Sequence, residues 1–238
     1  EVNPNYVATF ISLGIIPVYL RQVMRIKEGK LRSVWSVVFL AMFSAGMYAT
    51  LLLASRGVTA ALLVSLIIMT AMTVSRARHV ATISILGGLI SYVMLSLPGS
   101  KNLSARFAEA NIQTFNDRLP LWQAAWDKIM DASPLQLLLG YGFGYGEGVA
   151  SSASLYTTSL HNVYLQMTVE FGLAGLLLFL CLHIFSLKGA FGCKNEYAIY
   201  SIGLVTFLLV SSLSATAADN FIYWIILGYV FAIKKWNT

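Results

Sequence analysis

Three side chains in this sequence have the chemistry needed to bind an anion and to move a proton. His161 lies in SLHNVYLQMTVEF, directly before an apolar run, and an imidazole with the usual pKa of about 6.5 accepts a proton from a hydroxyl group at neutral pH. Arg56 lies in LLLASRGVTAALL and Arg118 in NDRLPLWQ, and the paired donors of a guanidinium group suit a phosphate or a diphosphate. The residue types therefore allow a general base at His161 and an anion clamp at Arg56 or Arg118.

Each of these residues also has a simpler interpretation. Arg56 falls between two apolar runs with almost no room for a loop, so its side chain either snorkels to lipid headgroups or binds an anion. Arg118 is either a solvated surface charge or a second anion clamp, and a lone interfacial histidine is more often structural. Glu170 lies inside an apolar run, where an ionisable side chain needs a partner, and His161, Arg56 or Gln166 could be that partner. If the partner is His161, Glu170 could orient its imidazole. The residue types alone leave these alternatives open.

The stretch GYGFGYGEG, residues 140–148, has a glycine at every second position. No GK[ST] follows it, and Tyr145 stands where a GxGxxG motif needs its third glycine, so both common nucleotide-binding motifs are excluded. Two interpretations remain: a pliable loop whose aromatic side chains dip toward a membrane interface, or a nest of backbone amides for a lipid diphosphate that includes Gly142 and Gly144.

The elements that position these residues are predicted to be membrane helices. The chain of 238 residues is 58% hydrophobic and 11% charged, with a mean hydropathy of +0.72, which is outside the range of soluble domains. We expect an all-α, polytopic transmembrane helical bundle of about seven spans, embedded in the lipid bilayer. The apolar windows are Tyr6–Leu20, Val34–Ala54, Val58–Val74, Val80–Leu97, Val163–Leu187, Ala198–Leu213 and Phe221–Ile233.

The lysines and arginines set the orientation of these spans. Eleven of the sixteen fall on one side of an alternating topology, which the positive-inside rule makes cytoplasmic: Arg21, Arg25, Lys27, Lys30, Arg32, Arg76, Arg78, Lys188, Lys194, Lys234 and Lys235. The net charge of +6 is thereby explained without nucleic acid. The chain divides into four helices in residues 1–97, an extracytoplasmic loop in residues 98–160, and three helices in residues 161–238.

One amphipathic helix is predicted inside that loop, in NDRLPLWQAAWDKIMDASP. Asn116 or Asp117 can cap it, Pro134 ends it, and one face carries Trp122, Ala125, Trp126 and Ile129. The outer side offers one histidine, no cysteine and no D-x-D pair, which is too little for a typical zinc or magnesium site. We therefore expect neither a metal nor a cofactor.

The sequence resembles the O-antigen ligase and O-antigen polymerase superfamily. The resemblance depends on the order of these motifs: SRG at a span end, RLPLWQAAWDKI and LLLGYGFG in the long loop, and HNVYLQMTVEFGLAGLLLFL at membrane re-entry. The resemblance covers roughly residues 50–185. It implies the C-terminal portion of a multi-pass glycosyltransferase of the bacterial inner membrane, with an active site that faces the periplasm. The implied donor is a glycan on undecaprenyl diphosphate, and the acceptor is a second glycan or lipid A core.

The resemblance also implies roles for single residues. Arg56 and Arg118 would bind the diphosphate, His161 would activate the acceptor hydroxyl, and the glycine stretch would line the donor site. The full substrate-binding set is expected to be Arg56, Arg118, Gly142, Gly144, Asn162 and Glu170. The rather short loop favours a polymerase slightly over a ligase, and a transporter or flippase of lipid-linked glycans is the alternative from another class.

Overall fold

The computed structural model describes residues 4–30, 34–53, 56–74, 79, 83, 118–154, 159–191, 196–213 and 221–236. Every regular element in these ranges is an α-helix, so the prediction of an all-α fold is confirmed there. The helices are α1 Pro4–Lys27, α2 Val34–Leu52, α3 Arg56–Thr73, α4 at residues 118–130, α5 Pro134–Leu139, α6 Tyr145–Ala153, α7 Val163–Phe191, α8 Glu196–Ser211 and α9 Phe221–Trp236.

The predicted apolar windows agree with the helices wherever the structure describes them. Six windows correspond to α1, α2, α3, α7, α8 and α9, with ends that differ by up to four residues, except at the end of α1, which extends seven residues past Leu20. By length and composition, residues 5–27 and 163–191 could each cross a membrane, and four shorter helices are also apolar. The window Val80–Leu97 and the caps Asn116 and Asp117 lie outside the described residues, so the count of seven spans and the three-part division stay predictions.

Two contacts define the two ends of the helical bundle. The guanidinium of Arg21 lies 3.6 Å from the carboxylate of Glu196, which joins the end of α1 to the start of α8. We call this the basic end. Ser212 lies sixteen residues after Glu196, past the last turn of α8. Its carbonyl accepts a hydrogen bond of 2.9 Å from the amide of Val163. We call this the site end, and α8 separates the two ends by about 24 Å.

Helix α3 runs antiparallel to α8 and packs closely against it. The hydroxyl of Ser65 donates a hydrogen bond of 2.7 Å to the carbonyl of Gly203, and a Cβ atom at Gly203 would lie 2.3 Å from the sulfur of Met69. Small residues at such crossings let two helix backbones approach, which is the usual way that membrane helices associate. A side chain at Gly203 would displace the end of Met69, and the hydrogen bond from Ser65 ties α3 to α8 at this crossing.

Helix α7 is broken at Gly172, where φ is 66° and ψ is −165°. A Cβ atom at Gly175 would lie 3.6 Å from the carbonyl oxygen of Met167, although eight residues of straight helix would separate them by about 12 Å. The rings of Tyr164 and Phe179 also meet, with centroids 5.8 Å apart. The helix therefore folds back into a short arm (residues 163–171) and a long arm (residues 173–191).

The break differs from the single predicted span Val163–Leu187. Only the long arm, with 19 residues and a length of about 28 Å, matches the thickness of a bilayer. The sequence interpretation missed this difference, because the apolar window continues across residue 172 and the change lies in the backbone angles of Gly172.

Candidate functional site

His161 lies at the site end, in the turn that leads into the short arm of α7. It has φ of 50°, and it is the one residue other than glycine in the described part of the chain with a positive φ. Such a conformation costs about 1–3 kcal/mol, and strain of this kind is concentrated at functional sites. Its amide donates a hydrogen bond of 3.2 Å to the hydroxyl of Ser159, and the side chain is half-buried. The turn thus fixes the backbone of His161 and leaves its side chain partly accessible.

The residue after His161 anchors this turn to the helix. The side-chain oxygen of Asn162 accepts a hydrogen bond of 3.1 Å from the amide of Leu165, and its carbonyl accepts one of 3.0 Å from the amide of Gln166. Asn162 is therefore the N-cap of the short arm. The sequence interpretation assigned Asn162 to substrate binding, and the structure adds a capping role that the sequence did not suggest.

Helix α4 places Arg118 beside His161. The indole N–H of Trp122 donates a hydrogen bond of 3.0 Å to the carbonyl of Leu160, which ties α4 to the residue before His161. Leu121 and Ala125 are buried on the same side of α4. Trp126, on the predicted shared face, is 53% exposed, and the side of α4 that is buried in the protein runs through Leu121.

The charge of Arg118 acts directly on His161. Burial lowers the pKa of the His161 imidazole below its usual value of 6.5, and the positive charge of Arg118 lowers it further. The imidazole is therefore neutral at pH 7 and able to accept a proton. Of the predicted site residues, Arg118 and His161 are the pair with the most direct evidence of lying close together.

Arg56 is the first residue of α3, and the structure describes its backbone but not its side chain. The hydroxyl groups of Tyr19 and Thr70 are hydrogen-bonded, and Tyr19 is two residues from Arg21, so Thr70 lies near the basic end. Arg56 precedes Thr70 by about 21 Å of helix, which places the backbone of Arg56 toward the site end. Arg56, Arg118 and His161 thus share one end of the bundle.

Glu170 lies near the end of the short arm and is only 2% exposed. The amide nitrogen of Gln166 donates a hydrogen bond of 3.3 Å to its carboxylate, as the sequence interpretation allowed. The same carboxylate oxygen would lie 2.8 Å from a Cβ atom at Gly146, so α6 packs directly against the end of the Glu170 side chain. The carboxylate is held between α6 and the short arm.

The glycine stretch has a structural role that neither of its two interpretations included. The amides of Tyr141 and Gly142 donate hydrogen bonds of 2.9 Å to the carbonyls of Val169 and Glu170. Those carbonyls would otherwise be unpaired, because the break at Gly172 removes their partners within the helix. The Gly142 amide is therefore already used by the protein, and Gly144 forms the N-cap of α6 with φ of 80°.

Two further features were not singled out in the sequence. Trp122 was assigned to one face of the amphipathic helix, and its role in holding Leu160 follows from a contact across 38 residues that no local pattern shows. The break at Gly172 had one signal, a glycine inside an apolar helical window. Within the described ranges, no three His, Cys, Asp or Glu side chains are grouped so as to hold a metal ion.

The sequence model of the O-antigen ligase family matches residues 37–180, which is more than half of the 238 residues. The chain belongs to the O-antigen ligase family. The matched region contains α3, α4, the glycine stretch and the short arm, and so includes Arg56, Arg118 and His161. A comparison with curated proteins found no match. Membership in this family indicates a membrane-embedded enzyme with an O-antigen ligase or polymerase type of function.

Proposed function

We propose that this O-antigen ligase family member is a glycosyltransferase of the bacterial inner membrane. It transfers a glycan from undecaprenyl diphosphate to a sugar hydroxyl at the periplasmic face. His161 is the general base, and Arg118 and Arg56 bind the diphosphate. The observation that carries this proposal is the pairing of a half-buried, neutral His161 in a strained backbone conformation with the positive charge of Arg118.

The proposed reaction is a direct displacement. The acceptor hydroxyl oxygen attacks the anomeric carbon, its proton passes to the imidazole of His161, and the bond between the anomeric carbon and the diphosphate breaks. Negative charge grows on the leaving diphosphate, and fixed guanidinium groups stabilise that charge most strongly in the transition state. The anomeric centre is inverted. The two arginines supply the charge that a metal ion provides in many diphosphate sites, so the proposed reaction needs none.

The charge of Arg118 couples donor binding to the strength of the base. In the empty site, Arg118 disfavours the imidazolium form of His161. A bound diphosphate neutralises Arg118, which removes this effect and lets His161 hold the proton that it takes from the acceptor. His161 is therefore a stronger base when the donor is bound, and the acceptor hydroxyl is activated only when a donor occupies the site.

The orientation is supported by the position of the site along the bundle. The basic residues of α1 lie at the basic end, which the positive-inside rule makes cytoplasmic, and His161 lies at the other end of α8. A site at that end receives a donor that has already crossed the membrane. We favour a second lipid-linked glycan as acceptor, and lipid A core is the alternative.

The test is transfer by the full chain in proteoliposomes that contain a glycan linked to undecaprenyl diphosphate. His161→Ala should lower the rate by about 10²–10⁴-fold, the usual contribution of a general base, while the protein stays inserted and folded. Lys128→Gln is the control, because Lys128 is exposed at the far end of α4. Transfer by His161→Ala at the rate of the unmodified protein would remove His161 from the mechanism.

The acceptor is identified in the same assay by adding lipid A core. A ladder of products without lipid A core indicates polymerisation, and a single adduct that forms only with it indicates ligation. A transporter would move the donor across the bilayer and release no undecaprenyl diphosphate, whereas the proposed enzyme releases it only when acceptor is present.

A further inference from the structure

Residues 132–146 form a stretch without a charged side chain, between Asp131 and Glu147. We call it the uncharged segment, and it contains α5 and most of the glycine stretch. None of the residues of α5 is buried. The large apolar side chains of the segment are strongly exposed: Leu135 67%, Leu138 53%, Leu139 56% and Phe143 87%. A surface of this kind is unfavourable in water and indicates an apolar neighbour.

The position of the uncharged segment indicates which neighbour this is. A Cβ atom at Gly172 would lie 2.4 Å from the backbone of Leu138, so the segment is docked where the long arm of α7 begins. The long arm places that point about 27 Å from Phe191, at the edge of a bilayer about 30 Å thick. The rings of Phe143 and Phe171 are 6.2 Å apart, which makes the segment continuous with the outer surface of α7.

The exposure of the segment matches that of α7 itself. Leu177 and Leu178 on the long arm are 60% and 69% exposed, as expected of side chains that contact lipid. Leu135 and Phe143 are exposed to the same degree or more. Aqueous loops seldom present so many large apolar side chains together, whereas lipid-facing surfaces commonly do.

The backbone of the uncharged segment is also suited to a medium without water. Ser133 and Gln136 form a reciprocal capping box at the start of α5, and the amide of Gly140 donates to the carbonyl of Gln136 at 2.7 Å. The amides of Tyr141 and Gly142 donate to the short arm of α7, as described above. Irregular backbone is tolerated at membrane depth only when its polar groups are paired within the protein in this way.

We propose that the uncharged segment is embedded in the lipid leaflet at the site end, with Leu135, Leu138, Leu139 and Phe143 against the acyl chains. The segment then differs from the aqueous loop that its place in the sequence suggests. It anchors the broken helix, and with it the turn that carries His161, to the surface of the bilayer. This inference depends on the family and on the geometry, and it holds whichever glycan the protein transfers.

The test is site-directed fluorescence quenching in proteoliposomes. Leu138→Cys, Phe143→Cys and, as control, Asp131→Cys are labelled with bimane in a chain that carries Cys181→Ser and Cys193→Ser. Each is quenched by phosphatidylcholine brominated on its acyl chains and, separately, by aqueous iodide. We expect bromolipid to quench the probes at 138 and 143 several-fold more than the probe at 131, and iodide to show the opposite order.

Two results would overturn the proposal. Quenching of positions 138 and 143 by iodide to the level of position 131 would place the segment in water. Protection of both positions from both quenchers would show that protein covers the segment. Leu135→Cys gives a third position on α5, so that one poorly folded variant does not decide the outcome.

Discussion

The contact between the glycine stretch and the broken helix predicts a sharp difference between neighbouring glycines. Gly140 has φ of 79° and ψ of −173°, a region that is essentially restricted to glycine. A Cβ atom there would lie 2.3 Å from the carbonyl carbon and oxygen of Glu170. Gly148 lies in α6 within the same stretch, and a Cβ atom there would meet nothing within 4 Å.

The expected cost of Gly140→Ala has two parts. The backbone conformation costs about 1–3 kcal/mol for alanine. To remove the overlap, the segment must move away from Glu170, which breaks the hydrogen bonds from Tyr141 and Gly142 at about 0.5–1.5 kcal/mol each. The sum is about 2–6 kcal/mol of lost stability. Gly148→Ala should instead be neutral or stabilise α6 by up to about 1 kcal/mol, since alanine is the better helix former.

The measurement is unfolding of the purified protein in mixed micelles by titration with SDS, followed by circular dichroism. Gly142→Ala should have an intermediate effect. The φ of 106° at Gly142 is unfavourable for alanine, but a Cβ atom there would meet no other atom within 4 Å. The order of stability should be Gly148→Ala, then Gly142→Ala, then Gly140→Ala. If Gly140→Ala unfolds at the same SDS fraction as Gly148→Ala, the glycine stretch is not docked on the short arm and the account of the break is wrong.

Three further predictions concern the site. Arg118→Gln should move the acidic limb of the pH profile of kcat/KM to higher pH, because removal of the nearby cation raises the pKa of His161, whereas Lys128→Gln should not move it. Arg56→Lys should raise KM for the donor strongly if Arg56 binds the diphosphate in a bidentate manner, and an unchanged KM would indicate a lipid anchor. Asn162→Ala should lose about 1 kcal/mol in the SDS titration and Asn162→Asp should keep full stability, and equal losses would contradict the capping role.

The approximate positions of the long apolar helices could be predicted from the sequence because hydropathy indicates them. The windows that begin at Val34, Val58 and Ala198 end within two residues of α2, α3 and α8. A run of about twenty apolar residues has few alternatives to a membrane helix, since every backbone polar group must be paired internally. No comparable rule exists for the residues between the spans, and there the sequence interpretation missed both α5 and α6.

The chemistry of the site was predictable to a smaller extent. Residue type and expected sidedness led to His161 and Arg118, and the charge of Arg118 contributes to the lowered pKa of the imidazole, while the catalytic and binding roles of both residues stay predictions. The positive φ of His161 and the capping by Asn162 depend on the exact turn before the short arm, which no composition rule specifies. The role expected of Gly142 in anion binding conflicts with the hydrogen bond from its amide to Glu170.

The break in α7 and the glycine stretch explain each other once they are considered together. An unbroken helix over residues 163–191 would be about 43 Å long, too long for the bilayer, and would carry His161 far out into solvent. The break avoids this but leaves carbonyls unpaired near the membrane, where each costs several kcal/mol. The amides of Tyr141 and Gly142 pair two of these carbonyls, and only glycines at 140 and 172 let the two backbones meet. The helix break and the glycine-rich stretch about thirty residues earlier therefore form one structural unit, and in the proposed arrangement this unit holds the turn of His161 at the edge of the membrane.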